Sequence, residues 1–314
     1  MRPKLAIAIP TYQRPGEIGL NDDVFMEECA ALGIAIYVSD DSRDDNTARL
    51  AEAVAKKYGN VFYRKNVPAC GHDRNIIETL SWPDADYVWI IGDTFSAMPG
   101  TLKPLIHSLH GQDFQFVNWN SNDLRITEIV SGVEAVDLVR DKLWHQTLTG
   151  GTIYHSRVRD WVRSNLPEVH QNFPHIDVIL GYSSKYAISA RWYGKKVLIS
   201  APKKSSYWHH KALDVFVDDW FSVLNAYPAI LSSAQAIAIG KAHSANTGLF
   251  DGMFLVRLRA IGHLTWSSTK KTHFWHAMHV KKSRVLLILL TPRASLVAAA
   301  PVKRWLSRLT RKRC

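Results

Sequence analysis

The chain has 314 residues, 46% of them hydrophobic, enough for one large domain or two modest ones and inconsistent with global disorder. Its net charge of +11 is unevenly placed: residues 252–314 carry 14 of the 39 Lys and Arg and no Asp or Glu, which leaves the first 251 residues with 25 basic against 28 acidic side chains. A near-neutral body with a strongly basic tail argues against a body-wide nucleic-acid surface and for a tail that meets something anionic.

Three widely spaced cysteines, Cys29, Cys70 and Cys314, imply neither a disulfide framework nor a zinc site and fit a reducing cytoplasm. The N-terminal apolar run, 5–9, ends at Pro10 and is too short for a signal peptide. No run approaches the roughly 18 apolar residues that span a bilayer. The longest, 285–290, is cut by Thr291-Pro292-Arg293.

In chain order, 4–9 reads as a first strand ended by Pro10-Thr11, and 15–32 as a helix with Pro15 suited to its first turn. A second strand, 34–39, runs into Asp40-Asp41-Ser42. The spacing of Leu50, Ala53, Val54 and Ala55 predicts a helix over 47–58, stopped by Gly59. A short strand at 61–63, a helix at 72–80 and a strand at 87–91 follow. Strand alternating with helix predicts parallel pairing with right-handed crossovers. Beyond Pro99 the pattern predicts a helix at 101–109, a strand at 114–119, a helix at 134–143, a tight turn at 148–152, a strand at 197–200 and a helix at 216–231. The composition changes near Gly252.

Three loops follow three of these strands: Pro10-Thr11-Tyr12-Gln13-Arg14, the acidic stretch 39–45, and Gly92-Asp93-Thr94. Parallel strands present their C-terminal ends on one edge, so the loops converge where α/β proteins bind ligands. Neither G-x-G-x-x-G nor G-x-x-x-x-G-K-[ST] occurs, which removes the common dinucleotide and P-loop readings. Carboxylates at such an edge accept hydrogen bonds from a base or ribose, or hold a divalent cation that bridges to a diphosphate.

The ordered segments IAIPTYQRP, YVSDDSRDDNT, NVPACGHDRNI and YVWIIGDTFSAMP resemble the N-terminal half of family 2 glycosyltransferases, which have the GT-A fold. The segment IIGDTFSA is similar to the subgroup of abequosyltransferase-like enzymes of surface polysaccharide assembly. The resemblance covers residues 5–99 well and continues weakly to about residue 202. It implies an α/β, mostly parallel sheet flanked by helices over 1–207, with 208–314 as a helical basic extension. It also implies an inverting transfer from a nucleotide-diphosphate sugar to a hydroxyl of a growing glycan; the basic tail fits a lipid-linked acceptor and a place on the inner face of the cell membrane. Pro10, Thr11, Tyr12 and Arg14 would line the nucleotide pocket, Asp40 and Asp41 would meet base and ribose, and Arg74 would face the nucleotide. Asp93 matches the first carboxylate of the family's metal motif, implying Mn²⁺ or Mg²⁺. The next position, often a second Asp, is Thr94, and one carboxylate with a hydroxyl holds a cation less tightly than two carboxylates. Asp93 carries the cation alone, or a cationic side chain replaces it.

The family's catalytic base lies after a glycine-rich turn that shapes the acceptor pocket. Gly150-Gly151 fits the turn and Asp177 the base, with Asp137 and Glu168 as alternatives; His209 and His210 could add a phosphate or metal contact. Each motif also has a purely structural reading. Asp40-Asp41 could be a solvated turn, Asp93 and Asp177 helix caps, Arg74 a surface ion pair, and Gly150-Gly151 a plain hairpin turn. In 301–313, Val302, Trp305, Leu306 and Leu309 fall at i, i+3, i+4 and i+7, with Lys303, Arg304, Arg308, Arg311 and Lys312 at other positions, the pattern of a helix lying on an anionic membrane or, alternatively, docked on the body. The competing function is a non-catalytic nucleotide-sugar-binding or scaffold subunit of a glycan-assembly complex. A nucleotidyltransferase is disfavoured because no glycine-rich, lysine-bearing N-terminal loop is present.

Overall fold

The computed structural model describes residues 2–165, 167, 169–200 and 211–296. They form two compact units. The first holds the described residues up to Ser200 together with Ala226–Ser232, and the second holds the described remainder. The expected boundary at 207/208 lies outside the described residues, as do Glu168, His209, His210 and the tail 301–313.

The first unit is built on an eight-stranded sheet in the order β3-β2-β1-β4-β8-β6-β9-β7. Its strands are β1 (Leu5–Thr11), β2 (Ala35–Asp40), β3 (Val61–Lys65), β4 (Tyr87–Ile90), β6 (Phe114–Asn118), β7 (Val130–Ser131), β8 (Thr152–His155) and β9 (Ser189–Lys196). β1 pairs in parallel with both β2 and β4, and β2 pairs in parallel with β3. β8 then runs antiparallel to β4 and β6, β6 and β9 are parallel, and β7 is antiparallel to β9. A separate antiparallel pair joins β5 (Phe95–Ala97) to β10 (Leu198–Ser200). The apolar runs of β1 and β4 are buried almost throughout, as expected of strands covered on both faces.

The helices of this unit are α1 (Asp23–Ala31), α2 (Asn46–Tyr58), α3 (His72–Ser81), α4 (Leu102–His107), α5 (Val133–Lys142), α6 (Ser156–Asn165) and α7 (Pro174–Ser183). α2 buries Thr47, Ala51 and Val54 and ends at Gly59, which takes the left-handed conformation at φ +73° that a C-cap favours. The helix expected over 15–32 is shorter than its pattern. A 3₁₀ turn, Gly19–Asn21, precedes α1, and the Asp22 carboxylate accepts from Phe25 N to start a fresh helix. The cause is tertiary: Gly19 N donates to the Asp93 carbonyl at 2.8 Å, and a Cβ at Gly19 would stand 2.6 Å from the Phe95 carbonyl oxygen.

The second unit is helical: a π-helical turn (Asp214–Asp219), α8 (Trp220–Asn225), α9 (Ser233–Thr247), α10 (Gly252–Ile261), α11 (Phe274–Ala277) and α12 (Lys282–Leu290). The single helix expected at 216–231 breaks after Asn225. Pro228 has no amide proton and pushes Tyr227 away from helical geometry. Within this unit Phe221 stacks on His273 at 4.8 Å and leaves room only for Gly240, whose Cβ would lie 2.4 Å from the Phe221 ring. His243 is buried against Phe216, and desolvation pushes its imidazole down to about 3. Among the described residues no helix is long and apolar enough to cross a membrane.

Candidate active site

Because β2, β1 and β4 are neighbours in the sheet, the loops that follow them meet at one edge. Thr11 Oγ1 donates to Asp93 Oδ2 at 3.1 Å, and Arg14 Nη1 stands 3.5 Å from Asp93 Oδ1. The second loop is tied to the first where Gln13 N donates to Ser42 Oγ at 2.6 Å and Asp41 N to Thr11 O at 3.0 Å. Tyr12 is 46% exposed beside these ties, while Pro10 and Arg14 are half-buried.

Asp40 and Asp41 are both buried and engaged by the protein. Asp40 accepts from Ser42 N at 2.8 Å and from the Tyr63 hydroxyl at 2.9 Å. Asp41 accepts from Gly71 N at 2.7 Å, Asn66 Nδ2 at 2.8 Å and Cys70 N at 3.0 Å, which stitches the β2 loop to the start of α3. Burial raises the Asp41 carboxyl, but these donors outweigh it and hold the group below the ordinary carboxylate value. Asn66 and Tyr63, which the sequence does not single out as site residues, are what fix the acidic pair. The one signal that could have found them is their place at the end of β3, beside β2. Arg74 pairs with Glu78 one turn along α3 at 2.6 Å.

Gly150 and Gly151 are buried for a packing reason. The Gly150 carbonyl accepts from Trp89 Nε1 at 2.9 Å, and a Cβ there would approach Leu198 Cδ1 to 2.9 Å and Ile91 Cγ2 to 3.6 Å. A Cβ at Gly151 would stand 2.5 Å from Gln146 Oε1. The turn therefore lies against Ile91, two residues before Asp93. Gln146 O in turn accepts from His175 Nε2 at 2.9 Å, which brings the start of α7 to the same region. His175 is fully buried, and desolvation pushes it down to about 4.

Asp177, in the first turn of α7, is 0% exposed. His170 covers it with its backbone N donating to Oδ2 at 2.7 Å and its Nδ1 2.7 Å from Oδ1, and the Tyr227 hydroxyl donates to Oδ1 at 3.0 Å. Desolvation raises the Asp177 carboxyl despite these donors. Asp137 lies elsewhere, on the exposed side of α5, paired with Arg140 at 2.8 Å.

Among the described residues no three His, Cys, Asp or Glu side chains gather around a common point. Asp93 with the Thr11 hydroxyl beside it still suits a hard cation, because such ions commonly take one carboxylate and draw their other ligands from phosphate oxygens and water.

No family model matches the chain. Over 90 residues it is 31% identical to the abequosyltransferase RfbV of Salmonella typhimurium, a stretch that makes up 28% of this chain and 27% of that protein. The chain thus matches about a quarter of that relative's length. The structure is similar to S. aureus TarS 1-349, with a TM-score of 0.53 at 14% identity over 94% of this chain and 83% of that one. It is similar to the same protein in complex with UDP, at 0.52 and 13% over 87% and 89%. It also matches the mannosyltransferase PcManGT from Pyrobaculum calidifontis in complex with GDP-Man and Mn²⁺, at 0.51 and 13% over 97% and 88%. The fold is the GT-A fold that the four sequence segments imply.

Proposed function

We propose that this chain is an inverting glycosyltransferase that takes a sugar from a nucleotide-diphosphate sugar and passes it to a hydroxyl of a lipid-linked surface glycan. The observation that carries the reading is the β1 loop, which meets Asp93 of the β4 loop through Thr11 and Arg14 and the β2 loop through Gln13 and Asp41, in a fold shared with proteins solved with UDP and with GDP-Man and Mn²⁺. The partial match to an abequosyltransferase supports a surface-glycan acceptor.

Pro10, Thr11 and Tyr12 line the side of the edge where a base and ribose stack. Asp40 and Asp41 hold that side in shape, and Arg74 lies on the adjoining helix. Arg14, whose guanidinium is half exposed beside Asp93, turns toward the diphosphate. Asp93 would hold a divalent cation, which when bound would supply positive charge to the departing diphosphate. Gly150 and Gly151 let the acceptor side of the site close against β4. Inversion requires the acceptor oxygen to attack the anomeric carbon from the face opposite the diphosphate while its proton is taken up, and the His170–Asp177 region is where that proton goes. The basic stretch 301–313 supports a reaction carried out at an anionic membrane surface.

The test is thermal unfolding with UDP, GDP, CDP and their sugars, with and without Mn²⁺. One nucleotide family should raise apparent stability, by about 2.7 kcal/mol at a hundredfold excess over Kd. The part of the shift that depends on Mn²⁺ should vanish in Asp93→Ala. A folded protein that no nucleotide stabilises overturns the reading and favours the scaffold alternative.

A further inference from the structure

Asp177 cannot itself meet an acceptor hydroxyl. It is 0% exposed, and three donors already occupy its two oxygens. An acceptor would have to displace His170 to reach it. The imidazole is placed differently: its side chain is 17% exposed, Nδ1 lies on the carboxylate at 2.7 Å, and Nε2 makes no hydrogen bond among the described residues.

The loop that carries His170 is braced at both ends of the site. Asn172 N donates to Asp73 Oδ2 at 3.1 Å, and Asp73 sits in the first turn of α3, two residues after the Gly71 amide that binds Asp41. On the other side His175 holds Gln146, which packs on Gly151 beside the β4 loop. Two independent routes therefore connect this imidazole to the loops around Asp93.

We propose that His170 is the residue that touches the acceptor, with Nε2 as the proton-accepting atom, and that Asp177 is a positioning residue behind it. The inference rests on the transferase reading above. A carboxylate that accepts from Nδ1–H fixes the tautomer that leaves Nε2 unprotonated, on a side chain that is 17% exposed. In the reaction the acceptor oxygen forms its bond to the anomeric carbon while the bond from that carbon to the diphosphate oxygen breaks. The electron pair of the broken bond leaves with the nucleoside diphosphate. The acceptor proton goes to Nε2, and the resulting imidazolium is held against the Asp177 carboxylate until Nε2 returns the proton to water. No oxidant or further reactant is needed. Asp177 of α7 is the titratable group bonded to this imidazole; the Tyr227 hydroxyl donates to the same carboxylate, Asp73 of α3 accepts from Asn172 N two residues along the loop, and His72 of α3 acts on His175 at the start of α7.

The experiment measures nucleoside-diphosphate release from a panel of UDP-, GDP-, CDP- and dTDP-sugars with water as the acceptor, across pH. His170→Asn keeps an amide N–H where Nδ1–H was, so Asp177 stays partnered, but it has no base at the Nε2 position. It should keep the donor KM and the nucleotide-induced thermal shift while kcat falls by about 10²–10⁴-fold. Added imidazole should restore part of the rate in His170→Ala. Asp177→Asn should lose less than His170→Asn and should gain nothing from added imidazole, because Nε2 is still present to take the proton. Wild-type turnover in His170→Asn alongside an inactive Asp177→Asn overturns the inference and returns the base to Asp177. Absence of release by the wild-type protein from every donor overturns the transferase reading, and this inference with it.

Discussion

Asp41 gives both carboxylate oxygens to protein donors, and that decides how it behaves with pH. Gly71 N, Cys70 N and Asn66 Nδ2 hold its folded-state value below the ordinary one, against the raising effect of burial. The stabilisation is therefore fully present above the unfolded-state value, about 3.9, and is lost as pH falls through the lower folded value. Asp41→Asn turns one acceptor into a donor facing donors, which should cost about 1–3 kcal/mol at pH 7. Urea midpoints at pH 7 and pH 3 should show a smaller loss on acidification in the variant than in wild type. The sequence marked Asp40-Asp41 as a strand-end acidic pair. It could not show that the pair points into the protein, because Tyr63, Asn66 and Gly71 reach it only after β3 has paired with β2. The same holds for Asp177: its place in the chain was legible, but His170 covers it by a loop conformation that no periodicity encodes.

At the scale of elements, the turn before β8 shows why glycine stands at 150 and 151. Gln146 and Leu198 occupy the space that side chains there would take. Gly151→Ala should force Gln146 off its bond to the Thr152 hydroxyl and lower stability by about 1–3 kcal/mol, read as a fall in Tm. A nucleotide-induced thermal shift that survives in this variant would place the damage in packing rather than in the donor pocket. Elements with strong local signals came out close to their expected bounds: β1, β2, α2, α3 and β4 each carry an apolar run or an amphipathic face with a recognisable stop. β9 was missed because Arg191, Lys195 and Lys196 interrupt its apolar alternation, and α6 because polar residues dominate it. The helix expected at 216–231 failed at Pro228, a local breaker outweighed in the reading by the apolar run before it.

At the scale of the molecule, charge asymmetry sets an expectation that the fold does not address. Each basic residue near an anionic surface is worth about 1 kcal/mol. The full chain should therefore sediment with vesicles rich in phosphatidylglycerol and be released by high salt, while a chain ending at residue 296 should stay in the supernatant. Binding that is equal with and without the last 18 residues would assign the attraction to the body.

Sequence alone determined the strand–helix order of residues 5–99, because parallel strands buried on both faces leave near-continuous apolar runs and their ends leave Pro, Asp-Asp and Gly-Asp in readable order; the GT-A fold itself was implied by the resemblance that the four ordered segments carry. It also determined the split between a near-neutral body and a basic tail, since charge is countable without a fold. Only the tertiary structure decided which carboxylates face inward. Asp41 meets donors 25 to 30 residues away, Thr11 meets Asp93 across 82, and Tyr227 comes back across 50 to seal Asp177 behind His170. Hydrogen bonds at such separations depend on how the sheet orders its strands, and no local pattern of residue types carries that order.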